Sequence, residues 1–239
     1  MTEQHNAFGG EVEETEQVRL RYARRHDVNR YSLLNPYQLL ALQERERALA
    51  RWMSISSITP AECRLLEVGC GTGGNLLTFL HFGFRAENLI GNELLEDRCK
   101  RARNLLPEAL RIIPGDACDL DFGEGAFNVV FQSTVFSSLL NPGFRQKLAA
   151  RMWQLTKPGG GVLWYDFTYD NPGNKDVRGV TWKAAQGLFP GATNIKRWRI
   201  TLAPPIGRRL VRVHPLMYSL FNALPFLRTH ILCWFQKPV

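Results

Sequence analysis

Leu65-Leu66-Glu67-Val68-Gly69-Cys70-Gly71-Thr72-Gly73-Gly74 decides how the rest of the chain is read. Its apolar run, Leu65, Leu66 and Val68, predicts a buried strand. The glycines that follow predict a tight loop, and an amphipathic pattern opens near Asn75 as a helix. Glycine accepts positive φ and lets a ligand approach where a Cβ would collide. The helix start beyond it offers unpaired N–H groups to a polar or anionic ligand. A nucleotide-like cofactor suits that combination. The spacing Gly69-x-Gly71-x-x-Gly74 also satisfies the dinucleotide fingerprint, with Glu93 about where a ribose carboxylate falls, so a nicotinamide fits the motif taken alone.

Three features outside the stretch shift the balance. Glu67 precedes the first glycine, giving Glu-x-Gly-x-Gly-x-Gly. Asp116 follows a third apolar run, Leu110 to Ile113, in Gly115-Asp116-Ala117. Leu155-x-Lys157-Pro158-Gly159-Gly160 stands before a strand-like run, Gly161 to Phe167. With these, the chain resembles the class I S-adenosylmethionine-dependent methyltransferases. That family has an acidic glycine loop after the first strand, an acidic residue ending the second, an Asp after the third and a Pro-Gly-Gly turn before the fifth. All four occur in order between Cys63 and Phe167. Asn128 departs from the family's usual Asp at its position in Phe127-Asn128-Val129-Val130.

The resemblance implies S-adenosyl-L-methionine as cofactor and assigns residues to it. Gly69, Gly71 and Gly73 would lie against its methionine and ribose portion. Glu93 would accept from the ribose hydroxyls, which suits an ionised carboxylate. Asp116 would accept from the adenine amino group, and the Ala117 N–H would donate to the ring. Gln132 falls where the family places cofactor backbone contacts, and Glu67 would orient the loop or the cofactor amine.

Strand and helix patterns alternate regularly from Arg64. Strands are expected at Arg64–Val68, Leu89–Asn92, Leu110–Ile113, Phe127–Phe131, Gly161–Phe167, Ile195–Leu202 and Thr229–Phe235. Helices are expected at Asn75–Phe82, Leu95–Leu106, Pro142–Thr156 and Val180–Leu188. Alternation of this kind specifies parallel crossovers, hence an α/β, Rossmann-like doubly wound sheet. The resemblance makes it seven-stranded, with the last strand antiparallel. Residues 1–17, polar and acidic, are expected to be disordered. Residues 18–62 are expected to form an N-terminal helical lid, with Tyr22, Arg24, Arg25 and Tyr31 in reach of cofactor or substrate. Residues 63–239 form the catalytic domain.

The 239 residues suffice for one full core. No apolar run approaches the ~20 residues that span a bilayer, and no signal-peptide pattern opens the chain. Five scattered cysteines (Cys63, Cys70, Cys99, Cys118, Cys233) offer no metal spacing, and the expected compartment is a reducing cytoplasm. The net charge is +8, and its distribution says more: no acidic residue follows Asp176, while Arg178, Lys183, Lys196, Arg197, Arg199, Arg208, Arg209, Arg212, Arg228 and Lys237 do. Such a segment favours anionic partners. The stretch 203–224 reads as an insertion carrying arginines and an amphipathic helix. It suits core packing, a substrate-pocket wall or an anionic membrane surface, with peripheral contact at the inner membrane face.

Methyl transfer is an in-line displacement governed largely by positioning. A hydroxyl acceptor benefits from a base; Asp166, beside Asp170 at the end of the fifth strand, and His214, after the basic insertion, are the candidates. His230 reads as a strand residue. The amino-methylating Asp/Asn-Pro-Pro-Tyr/Phe motif is absent, Phe131-Gln132-Ser133-Thr134 standing in its place. A looser resemblance links Trp164 to Val180 and Pro204 to Arg209 with methyltransferases of bacterial surface-polysaccharide biosynthesis. The expected activity is O-methylation of a small or lipid-linked glycan or other phosphorylated acceptor. The alternatives are a non-catalytic nucleic-acid- or membrane-binding protein retaining the fold, and an NAD(P)-dependent oxidoreductase; no specific nucleic acid is expected as a partner.

Overall fold

A computed structural model describes residues 5–24, 32–56, 58–171 and 173–239, with 5–13 described through their backbone alone. Seven strands form one sheet: β1 (Leu65–Val68), β2 (Leu89–Glu93), β3 (Arg111–Pro114), β4 (Phe127–Ser133), β5 (Thr156–Phe167), β6 (Asn194–Leu202) and β7 (Arg228–Gln236). Their spatial order is β3-β2-β1-β4-β5-β7-β6. β1 pairs in parallel with β2 and β4, and β7 runs antiparallel to both neighbours. The order reverses between β1 and β4, and a ligand crevice belongs outside the carboxyl ends of the strands at such a point.

Every residue of β1 and β2 is buried, as strands covered on both faces require. The two-residue alternation sends Leu66 and Val68 into one core layer and Leu65 into the other. Helices α3 (Gly74–His81), α4 (Glu96–Leu105), α5 (Pro142–Leu155) and α6 (Trp182–Leu188) cover the sheet. α5 begins where the sequence announces it: Pro142 occupies the first turn, and Asn141 accepts the Phe144 N–H at 3.1 Å.

Two expectations need correction. Residues 5–17 of the stretch expected to be disordered belong to helix α1 (His5–Ala23), and residues 1–4 lie outside the described residues. Val18 enters the core, and buried Glu14 accepts from Arg21 (2.8 Å) and from the Leu140 N–H (2.7 Å). Glu14 is thus held by a cation about two turns on and by a backbone donor far along the chain, so this carboxylate ties the helix to the domain. In addition, β5 starts at Thr156, so Pro158-Gly159-Gly160 lies within the strand. Its register against β4 breaks between the pairs Phe127–Thr156 and Val129–Gly161, and the glycines fill that bulge. Arg25 and Tyr31 lie outside the described residues.

Helix α2 (Pro36–Ile55) packs by Trp52 on Trp234, ring centroids 5.3 Å apart. Its other end joins a small third cluster of Tyr37, Leu202, Val211 and Tyr218 with helices α7 (Pro204–Val213) and α8 (Leu216–Asn222).

Candidate functional site

A cavity of about 580 Å³ opens at the carboxyl ends of β1, β2 and β4. Its floor is the glycine loop. Gly69 takes φ +67°, and a Cβ there would stand 2.5 Å from Val135 Cγ2, in the loop after β4. The two loops therefore touch at the switch point with no room for a side chain. Gly73, at φ +89°, turns the chain into α3. Gly69 and Gly71 line the cavity; Gly73 shapes the turn behind it.

Glu93 ends β2 in the cavity wall and ties the site together. Its Oε2 accepts the Gly71 N–H at 2.8 Å and its Oε1 the Leu95 N–H at 2.9 Å. Each oxygen retains a lone pair for a ligand hydroxyl. Asp116 caps a short 3-10 turn, its Oδ1 accepting the Cys118 N–H at 2.9 Å, and it lines the cavity beside Ala117. Asn92, which the sequence reading passed over, holds the Asp116 loop by donating to the Gly115 carbonyl at 3.0 Å.

Two expected cofactor residues sit one layer back. Buried Glu67 accepts from Asn75 Nδ2 at 2.5 Å, while its Oε2 has no partner among the described residues. Burial pushes its carboxyl up to about 8, a rise tempered by the Asn75 hydrogen bond and by Arg45. Gln132 is also buried: its Oε1 accepts the Val135 N–H at 3.0 Å and its Nε2 donates to the Tyr165 carbonyl. Its side chain braces the loop after β4, and Ser133 at the strand's end lines the cavity with Thr134, Val135, Ser138 and Leu139 of that loop.

Neither expected catalytic residue reaches the cavity. Asp166 is fully buried at the end of β5, accepting N–H bonds from Ser137 (3.1 Å) and Phe167 (3.0 Å). Burial raises its carboxyl to about 6 against the pull of those donors. It is a strut under the post-β4 loop. His214 is exposed just past α7, where its Nδ1 accepts the Leu216 N–H. Asp170 is exposed and accepts from the Gly179 N–H at 2.9 Å. The pocket-wall reading of 203–224 fails with His214, since no residue of that stretch lines the cavity. His230 stacks on Tyr165 in β7, and burial holds its imidazole down to about 3, in the neutral form.

Further wall comes from α1 and α2. Thr15, Val18 and Tyr22 face inward from α1, and Leu42, Arg45 and Glu46 from α2. The Arg45 guanidinium stacks over Tyr165 at 5.2 Å, and Arg98 of α4 stacks over Tyr22 at 4.4 Å. Neither arginine has an ion pair within 4 Å among the described residues. Both escaped the sequence reading, because each lies in an arginine-rich helix whose inward face no local motif marks. Arg24, by contrast, points outward and pairs with Asp176 at 3.2 Å.

Residues 65–160 match the family model described as a methyltransferase domain. The chain carries a class I, S-adenosylmethionine-dependent methyltransferase domain. It is similar to a fatty-acid O-methyltransferase of Mycolicibacterium smegmatis, with 37% identity over 46% of this chain and 39% of that protein. A second relative is a malonyl-[acyl-carrier protein] O-methyltransferase of Bacteroides fragilis, 42% identical over 26% of this chain and 12% of that one. The chain thus spans well under half the length of either. Among solved structures it shares its fold with a SAM-dependent methyltransferase from Archaeoglobus fulgidus: TM-score 0.59, 14% identity, 84% of this chain and 99% of that one.

The methyltransferase domain's residues fit its cofactor. The cavity offers the Glu93 carboxylate with unused acceptor capacity, Asp116 beside apolar Ala117, and a glycine floor that side chains would fill. Behind that floor lies the Glu67 Oε2 atom, a buried polar atom with no partner among the described residues.

Proposed function

We propose that the protein transfers a methyl group to an oxygen of a small or lipid-linked glycan or another phosphorylated acceptor. The bound cofactor would supply a methyl group on a sulfonium, a leaving group that needs no further activation. The chain's residues would supply position: the acceptor oxygen must stand roughly 3–3.5 Å from the methyl carbon, in line with the sulfur. Glu93, Asp116, Ala117, Gly69 and Gly71 would hold the cofactor, with Glu67, Gly73 and Gln132 fixing the loops that do so.

One observation carries the acceptor reading: Arg45 and Arg98 line the cavity with aromatic stacking and, among the described residues, no carboxylate within 4 Å. A guanidinium placed so is a ready anion site, since its fork matches phosphate and carboxylate alike.

A second reading, a carboxylate acceptor on an aliphatic chain, is favoured by a different observation. The cavity lacks both expected bases, and a carboxylate is ionised at neutral pH without one. Leu33, Leu42, Leu77 and Leu139 supply apolar wall for a chain, and the Mycolicibacterium relative acts, by its name, on fatty acids. A labelled-methyl assay with phosphorylated glycans, lipid-linked glycans and free fatty acids tests both. Alkali-stable label on a glycan supports the first reading; alkali-labile label, as from a methyl ester, supports the second. Label in none of them would overturn both.

A further inference from the structure

Helices α7 and α8 have two faces, and only one is covered. On the inner side, Tyr218 and Asn222 donate to the Glu44 carboxylate of α2 at 2.6 and 2.7 Å, and Gly207 packs against Tyr37. On the outer side, Leu216 is 68% exposed, Leu220 61%, Val213 80% and Phe226, in the turn after α8, 69%. Leu216 and Leu220 stand four residues apart in α8, so they share one outward face. A helix apolar on every side is ordinarily buried on every side, and a contiguous exposed patch marks an interaction surface.

We propose that this face seats the protein on an anionic lipid bilayer. Arg209 and Arg212 of α7 are exposed and have no ion pair within 4 Å among the described residues. Arg208 lies over the Tyr37 ring at 5.7 Å. No Asp or Glu follows Asp176 in the sequence, so no acidic side chain of this stretch offsets the arginines. Apolar side chains flanked by unopposed arginines match the acyl–headgroup boundary of an anionic leaflet. A second copy of the chain fits less well: a two-fold contact through this face would set arginines against arginines. No helix among the described residues is long and apolar enough to cross a membrane, so the contact lies along the surface. The proposal does not rest on the acceptor reading, because no residue of α7 or α8 lines the cavity.

The test is sedimentation of the full chain with vesicles of equal parts phosphatidylcholine and phosphatidylglycerol, alongside vesicles of phosphatidylcholine alone. The protein should partition onto the mixed vesicles and release at high salt. Arg209→Gln/Arg212→Gln should weaken that partitioning roughly 25-fold. Leu216→Ser/Leu220→Ser/Phe226→Ser should weaken it about tenfold or more with an unchanged thermal melt; Val213→Ser/Phe226→Ser serves if the triple variant melts lower. Failure of the native chain to bind mixed vesicles would overturn the proposal. So would serine variants that bind as the native chain does, or a native dimer in light scattering that the serine variants dissolve.

Discussion

At the β3-β2-β1-β4 end of the sheet, parallel strands deliver loops to one cavity, and each loop is fixed by the next. Glu93 holds the glycine loop, Asn92 holds the Asp116 loop, and Gln132 and Asp166 hold the loop after β4. At the β5-β7-β6 end the strands run antiparallel, and the chain between β6 and β7 carries arginines and exposed apolar side chains away from the cavity. The first end is built by short-range hydrogen bonds that tolerate little change, the second by charge and apolar area that tolerate much. Substitutions should therefore act steeply on cofactor binding at the first end and gradually at the second.

The largest effect expected is from Glu93→Ala. It strands the Gly71 and Leu95 N–H groups and removes the acceptor proposed for the ribose. Affinity for S-adenosylhomocysteine should fall at least thirtyfold, on the order of 2 kcal/mol or more, with some loss of stability. Glu93→Gln keeps one acceptor oxygen but sets its amide nitrogen against the other N–H, so it should recover part of the stability and little of the affinity. Calorimetric affinities equal to the native value in both variants would remove Glu93 from the site.

Glu67→Gln sharpens the same end through pH. The folded carboxyl, raised to about 8, keeps a proton that the unfolded chain releases near pH 4 to 5. Stability is therefore fullest below that range and declines as pH rises toward 8, by a few kcal/mol on the order-of-magnitude scale. Glutamine stays neutral and still accepts from Asn75, so the variant's stability should be flatter over that window. Denaturant unfolding at both ends of it reads the difference; parallel profiles would mean the native carboxyl ionises in place.

Arg45→Leu should raise the KM for an anionic acceptor roughly tenfold while leaving cofactor affinity within twofold. An unchanged KM would take the acceptor's charge away from Arg45. The smallest effect belongs to the other end: Arg209→Gln/Arg212→Gln should leave both S-adenosylhomocysteine affinity and the KM for a soluble acceptor at native values. A shift in either would couple α7 to the cavity and blur the contrast between the two ends.

The same contrast explains what could be read beforehand. The strand–helix alternation, the β1 loop and the placement of Glu93 and Asp116 in the cavity wall were legible because these features recur at short fixed intervals along the chain. The register break in β5 was not legible, since whether Pro158 and the glycines precede a strand or sit in its bulge depends on β4 alongside. Glu14 was misread for a similar reason: its partner amide lies 126 residues away. Asp166 and His214 were chosen by chain position, which specifies neither the side of β5 that a carboxylate faces nor the exposure of a residue past α7. Arg45 and Arg98 carried no sequence signal beyond being two arginines among 30 Lys and Arg residues.

The most direct test of the central claim is calorimetric titration of the full chain with S-adenosylhomocysteine, with NADH and NADPH as controls. Micromolar binding of S-adenosylhomocysteine alone, weakened in Glu93→Ala, is the result expected of the cavity described. Binding of a nicotinamide cofactor in its place, or of none of the three, would contradict it.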